Sequence, residues 1–361
     1  MGNRTLVEAE VGHELAMIRE QARKMLQDLA PAEHVKEVMA APGSFDLALW
    51  QAAADLGWPL LAAPESLGGM GYGMRGLAVL AEELGRAAVS LPLIPAYVCL
   101  STIESCTAAP AALGTAVEKI ASGEATVCLA FAEPGEAGLP RAPGVEISAS
   151  QVSGIKAMTA FAAVADFAVV SAQSEGNAVL VLVELDQPGV ERRALDSVDQ
   201  GRGAAELVFR DAEATLLPAA NAQESLRQIG ALAVLATAYE QLGGAEAAMH
   251  MARDYAQERV AFGQAIGRFQ GVKHKIADMY WRVELARGCA LDAVGQFELG
   301  DVNWMMLAAA ARLASIEAYE FSAAENVHLH GGLGTTWEGN PQIHYRRSRA
   351  LALELGSRYY W

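Results

Sequence analysis

From Val272 to Phe297, apolar residues recur at alternating steps of four and three: Val272, Ile276, Met279, Val283, Ala286, Ala290, Ala293 and Phe297. That spacing lays all eight on one face of a helix. A seam this regular requires partner helices running alongside it, as in a long antiparallel bundle. The alanines on the seam are small enough to let those neighbours approach closely.

Two other patterns precede it. Near the start, Leu15, Ile18, Ala22, Met25 and Leu29 form a second apolar helical stripe, followed by helical stretches in "FDLALWQAAADLGW" and "MRGLAVLAEELGRA". "PESLGGMGYG" between the last two is turn chemistry. From about residue 126 to 216 the helical period gives way to short β-rich runs, "TVCLAF", "FAVVSA", "AVLVLVEL" and "AAELVF", separated by Pro, Gly, Ser and Asn. The expected architecture is α+β and multidomain: an N-terminal helical domain over 1–122, a middle antiparallel β-barrel or sandwich over 123–218, and a C-terminal four-helix bundle over 219–361. A chain of 361 residues is long enough for two or three packed units.

Composition narrows the function classes. Hydrophobic residues make up 52% and charged residues 19%, which suits a well-buried globular protein. The formal charge of −16 argues against a nucleic-acid partner, since no basic stripe offsets it. Cys99, Cys106, Cys128 and Cys289 show neither a CxxC pair nor metal-ligand spacing, so buried thiols in a reducing, cytoplasmic compartment are expected, with no metal site. "MGNRTL" misses the myristoylation pattern at Leu6, and no apolar run reaches the roughly 18–20 residues of a membrane span.

Two stretches carry candidate chemistry. In "YAQERVAFGQAIGRFQGVKHKIADM", residues 255–279, a helix over 223–262 is expected to close on a left-handed Gly263. Arg259 would then project from its last turn, and Gln270 would open the next helix. A guanidinium fork suits phosphate oxygens and stays charged at any working pH. Together these residues could hold a pyrophosphate and an adenine or ribose. The ordinary alternative is an arginine that compensates a helix dipole. In "HLHGGLGTTWEG", residues 328–339, Gly331, Gly332 and Gly334 permit close backbone approach beside His328 and His330. This is no Rossmann fingerprint: no strand precedes it and Trp337 stands at the third glycine position. A glycine loop after a helix is by itself more often a turn than a cofactor site. No G-x-S-x-G elbow suggests nucleophilic catalysis.

Taken in this order and spacing, the two stretches resemble the acyl-CoA dehydrogenase family. "RVAFGQAIGRFQGVKHKIADM" matches the Arg-x-x-Phe-Gly and Phe-Gln signature, and "HGGLGTTWE" with "YRRSRALALELGS" matches the C-terminal glycine motif and last helix. "LWQAAADLGWPLLAAPESLGGMGYG" and "VSGIKAMTAFAAVADFAVVSA" match the N-terminal and middle domains. The resemblance implies FAD bound at a subunit interface. Arg259, Phe262 and Gln270 would touch the diphosphate and adenosine end of a neighbouring subunit's FAD, with His328, Gly331 and Gly332 closing over it. It also implies an acyl-CoA substrate, an oligomer such as a dimer of dimers, and an electron acceptor such as an electron-transfer flavoprotein. The implied reaction removes the α-proton of an acyl thioester with a carboxylate while hydride passes to flavin.

The departures share a direction. The family's usual base position reads Leu355, with Glu354 one residue earlier and about 100° away on a helix. The alternative base position reads Ala233, with Glu240 seven residues further along the same helix. The usual flavin-facing Trp-Ile-Thr reads Met158-Thr159-Ala160. Residues lent to a neighbour's FAD are kept, while those serving this chain's own flavin and substrate are eroded. A non-catalytic subunit of a heteromeric dehydrogenase, such as those acting on steroid side chains, fits that direction. The rival is a self-sufficient enzyme with Glu240 as base, for which the ordinary reading is a structural ion pair. A related oxidase or flavin monooxygenase is a third reading. An alanine- and glycine-rich wall along 231–248 is expected to leave room for a bulky acyl group.

Overall fold

The computed structural model describes residues 2–41, 43, 45–108, 113–136, 138–140 and 142–361, with side chains from residue 12 onward. Seven helices come first: α1 (Gly2–Leu29), α2 (Ala32–Ala40), α3 (Leu47–Asp55), α4 (Trp58–Ala62), α5 (Gly73–Ala87), α6 (Leu93–Glu104) and α7 (Gly114–Ser122). Local chemistry places several ends. Asp46 caps α3 by accepting from the Leu49 amide at 3.0 Å, and Gly57, at φ +75°, turns the chain into α4. The α1 stripe holds at Ala22, which is buried, and at Ile18 and Met25, which pack partly buried against the core; at its end Leu29 is 49% exposed and Leu26 and Ala30 are buried instead.

The middle unit holds β1 (Val127–Ala130), β2 (Glu146–Ser148), β3 (Gln151–Thr159), β4 (Phe167–Ser174), β5 (Asn177–Glu184), β6 (Val190–Ala194), β7 (Ala205–Glu213) and β8 (Thr215–Leu217). The sheet runs β6-β7-β3-β2-β4-β5-β8, with β1 added alongside β4. Most pairs are antiparallel, as expected. The β1–β4 and β2–β4 pairs are parallel, since the chain reaches β4 by crossover and not by a hairpin. Val169, Val170, Val181 and Val183 are fully buried between this sheet's own core and the helices.

The C-terminal helices are α8 (Ala222–Glu258), α9 (Gln270–Glu298), α10 (Trp304–His330), α11 (Gly332–Thr335) and α12 (Pro341–Leu351), with the short strands β9 (Val260–Ala261) and β10 (Gln264–Ala265) between α8 and α9. Asn221 caps α8 through the Glu224 amide at 3.1 Å. The helix has 37 residues, about 55 Å at 1.5 Å per residue. The predicted seam is the buried face of α9: Met279, Val283, Ala286, Ala290 and Ala293 are at most 1% exposed.

Three expectations change here. First, α8 stops at Glu258, so Arg259 is its cap residue and not part of its last turn. Phe262 (φ +52°) and Gly263 (φ +81°) form the two-residue turn of the β9–β10 hairpin, so the left-handed glycine closes a hairpin and not a helix. Second, Glu354 and Leu355 lie beyond α12 in a turn where Leu355 has φ +58°, so helical angles do not relate them. Third, the glycines of 231–248 pack against helices. A Cβ on Gly243 would meet the Glu82 carbonyl oxygen at 1.8 Å, and one on Gly244 the Tyr319 ring at 2.3 Å. They bring α5 and α10 against α8 and leave no open wall.

Candidate functional site

The hairpin and the glycine loop come together at one end of the bundle. Tyr255, one turn before the end of α8, stacks on His330 at the end of α10, with ring centroids 4.0 Å apart. The His330 ring is fixed by its contact to the Asn326 carbonyl at 2.8 Å; burial lowers its pKa and that hydrogen bond opposes the shift. The hairpin beyond Tyr255 is closed by the Ile266 amide donating to the Arg259 carbonyl at 2.8 Å. Its tip points to solvent: Phe262 is 95% exposed. Arg259 is exposed, with no acidic partner among the described residues, and Gln270 is exposed at the first turn of α9. No side chain caps that first turn, and its Val272 amide donates to the Phe269 carbonyl at 3.1 Å. His328 is exposed and lies 3.3 Å from Glu325. Gly331, at φ +60°, and Gly332 face open space. All six predicted cofactor-binding residues therefore sit on an outward-facing surface.

A second region is concave. A cavity of about 260 Å³ lies between the first turn of α6, the middle sheet and the turn after α12. Met158, Thr159 and Ala160 form one side and Glu354, Leu355 and Gly356 another. The Ala157 amide donates to the Ala132 carbonyl at 2.9 Å, joining β3 to the segment after β1. Behind it, the fully buried Lys156 ammonium is paired with Glu133 and donates to Ser171 Oγ at 2.8 Å. Burial lowers the Lys156 pKa and Glu133 opposes that shift. Thr159 spends its hydroxyl on the Ala157 carbonyl, at 3.0 Å. Leu355 lines the cavity; Ala233 is fully buried in α8 and does not.

Two carboxylates of the helical part near the cavity, Glu240 and Glu354, are committed to arginine. Arg202, between Gly201 and Gly203, donates to Glu240 Oε1 at 2.8 Å and to Glu354 Oε1 at 3.0 Å. Arg347 pairs with Asp199 and lies 3.6 Å from Glu240. Arg312 donates to Gln241 Oε1 at 2.6 Å and to the Glu354 carbonyl at 2.6 Å. Glu240 is 3% exposed. Burial raises its pKa and the two arginines oppose that shift. Glu136, which is exposed, also lines the cavity. Arg202 and Arg312 lie in no motif of the sequence, Arg202 being marked only by its place between two glycines ahead of a strand, while Arg347 falls in the "YRRSRALALELGS" stretch with nothing there to show its partner. Among the described residues no group of His, Cys, Asp and Glu could hold a metal, and no helix is long and apolar enough to cross a membrane.

Comparison with known proteins accounts for this arrangement. The acyl-CoA dehydrogenase N-terminal domain model matches residues 12–124 and the C-terminal domain model matches residues 232–358. The chain is 30% identical over 346 residues to acyl-CoA dehydrogenase IpdE2 of Mycobacterium tuberculosis, covering 95% of this chain and 93% of that protein. A variant of the Tcur3481–Tcur3483 steroid ACAD superposes with a TM-score of 0.88 at 28% identity, covering 97% of this chain and 96% of the other. The ChsE4–ChsE5 complex from Mycobacterium tuberculosis shares the fold, with a TM-score of 0.87 at 24% identity over 97% and 94% of the two chains. With sequence, domain order and fold agreeing along nearly its whole length, the chain belongs to the acyl-CoA dehydrogenase family of FAD-dependent oxidoreductases.

Proposed function

We propose that this chain is one subunit of a heteromeric acyl-CoA dehydrogenase, lending its Arg259 surface to the FAD of an unlike, catalytic partner. The observation that carries this reading is a contrast. The six residues of the half-site are exposed and Arg259 has no acidic partner among the described residues, whereas the cavity presents Leu355 at the usual base position. An exposed guanidinium, an exposed side-chain amide and two glycines open to solvent fit one edge of a dinucleotide diphosphate. They do not by themselves enclose one. Bound FAD supplies hydride acceptance in this family. This chain's part is to fix the diphosphate through Arg259 and Gln270 and to shield it with the 331–332 backbone. The IpdE2 and steroid ACAD relatives point to a bulky acyl-CoA as substrate of the assembly. An electron-transfer flavoprotein as acceptor and a cytoplasmic setting complete the reading, as does division into units at 1–122, 123–218 and 219–361.

The test is to purify the chain alone and co-expressed with an unlike dehydrogenase subunit, and to record visible spectra. Little flavin alone, and a flavin-loaded active complex together, is the expected result. A yellow, fully active homo-oligomer would overturn the proposal.

One observation favours the rival. Glu240 is a buried carboxylate whose pKa is raised by desolvation, as a general base requires. Under that reading Glu240→Gln abolishes flavin bleaching by acyl-CoA while the protein stays folded.

A further inference from the structure

The aromatic residues Tyr360 and Trp361 do not line the cavity, but each bonds to a residue that does. The Tyr360 hydroxyl donates to the Leu139 carbonyl at 3.3 Å, on one wall. Trp361 Nε1 donates to the Leu355 carbonyl at 3.1 Å, on the other. The rings meet edge to face with centroids 4.9 Å apart, a favourable geometry for aromatic pairs. Two glycines make room for them. A Cβ on Gly138 would lie 2.2 Å from the Tyr360 ring, and one on Gly356, at φ +110°, would lie 2.9 Å from both Tyr360 and Trp361. On its other side the Leu139 side chain presses against α8, where a Cβ on Gly230 would come within 2.1 Å of it. Leu139 is thus held between α8 and the tyrosine, and its wall cannot retreat while the rings are in place.

The resulting cavity, about 260 Å³, falls below the ~300–1,000 Å³ of ordinary small-molecule sites. We infer that Tyr360 and Trp361 are specificity-determining residues: a strap that ties the Gly138–Leu139 wall to the Leu355–Gly356 turn and limits the size of the acyl group this chain's cleft admits. The strap acts in the same way whichever subunit carries out the chemistry.

Isothermal titration of the assembled protein with butyryl-CoA and with palmitoyl-CoA tests it. The double substitution Tyr360→Ala with Trp361→Ala is expected to tighten palmitoyl-CoA binding about tenfold or more, with butyryl-CoA moving less than about threefold. Gly138→Ala, which displaces the Tyr360 ring without touching either aromatic residue, is expected to give the same change in the palmitoyl-to-butyryl ratio. Tyr360→Phe keeps the ring but loses the bond to the Leu139 carbonyl, and is expected to move the ratio part of the way toward that of the double variant. Because the substitutions lie in this chain alone, any change belongs to its cleft. A ratio unchanged in both the double variant and Gly138→Ala, or equal tightening for both ligands, would overturn the inference.

Discussion

Arg259 and Arg202 carry the same guanidinium into opposite surroundings, and the surroundings decide what each can do. Arg202 is 6% exposed and held by Glu240 and Glu354, so its charge is spent inside the protein. Arg259 is exposed with no acidic partner among the described residues, so its fork is available to a ligand. Arg259→Lys keeps the charge but loses the paired donors. It is expected to weaken flavin binding by the assembled protein about 10- to 100-fold, the range of a charge-assisted hydrogen bond. The melting temperature of the isolated chain should not change, since this exposed side chain has no acidic partner among the described residues. Flavin titration and a thermal scan check the two halves; a large loss of melting temperature would mean Arg259 is structural. Arg259 was legible in the sequence because its motif is local, with every member between residues 259 and 270. Arg202 was not, because its partners lie 38 and 152 residues away and no spacing rule connects them.

At the scale of elements, α8 shows what a pattern conveys and what it leaves open. The seam it meets on α9 follows from apolar periodicity, which reports which face is buried. Periodicity does not report what covers that face. The glycines at 243 and 244 read equally well as room for a ligand or as room for a helix, and the helices α5 and α10 fill it. The end of α8 was misplaced for a related reason. Phe262 is an unusual first residue for a two-residue hairpin turn, where residues that tolerate positive φ are preferred. Phe-Gly therefore read as a helix stop. The packing claim has a direct consequence. Gly243→Ala would force a Cβ against the Glu82 carbonyl and is expected to destabilise the fold by about 3 kcal/mol, the upper part of the range for overpacking. Urea denaturation measures it. A neutral result would mean that α5 and α8 are free to separate, and the cleft-wall reading of these glycines would regain force.

On the scale of the whole molecule, the helical and β parts are joined by charge as well as by apolar burial. Asp199 and Arg202 come from the middle unit; Glu240, Arg312, Arg347 and Glu354 come from α8, α10, α12 and the turn beyond it. Three arginines face three carboxylates, so the cluster is balanced. Such a cluster adds little net stability when whole but is costly to break, because an unmatched charge is then left in a low-dielectric interior. Glu240→Gln should therefore destabilise the protein by about 3 kcal/mol, at the low end for a buried pair because Arg202 keeps Glu354 and Arg347 keeps Asp199. Replacing both partners with apolar residues, Glu240→Leu with Arg202→Met, keeps the cluster's charges equal but also takes Arg202 away from Glu354, so it should cost at least as much as the single change. Chemical denaturation of the three proteins gives the comparison, and the same Glu240→Gln protein, mixed with acyl-CoA, gives the functional one. A latch loses stability when Glu240 is neutralised; a base loses flavin bleaching and keeps stability. If Glu240→Gln unfolds at the wild-type urea midpoint and no longer bleaches flavin, Glu240 is the base and the chain is a catalyst in its own right.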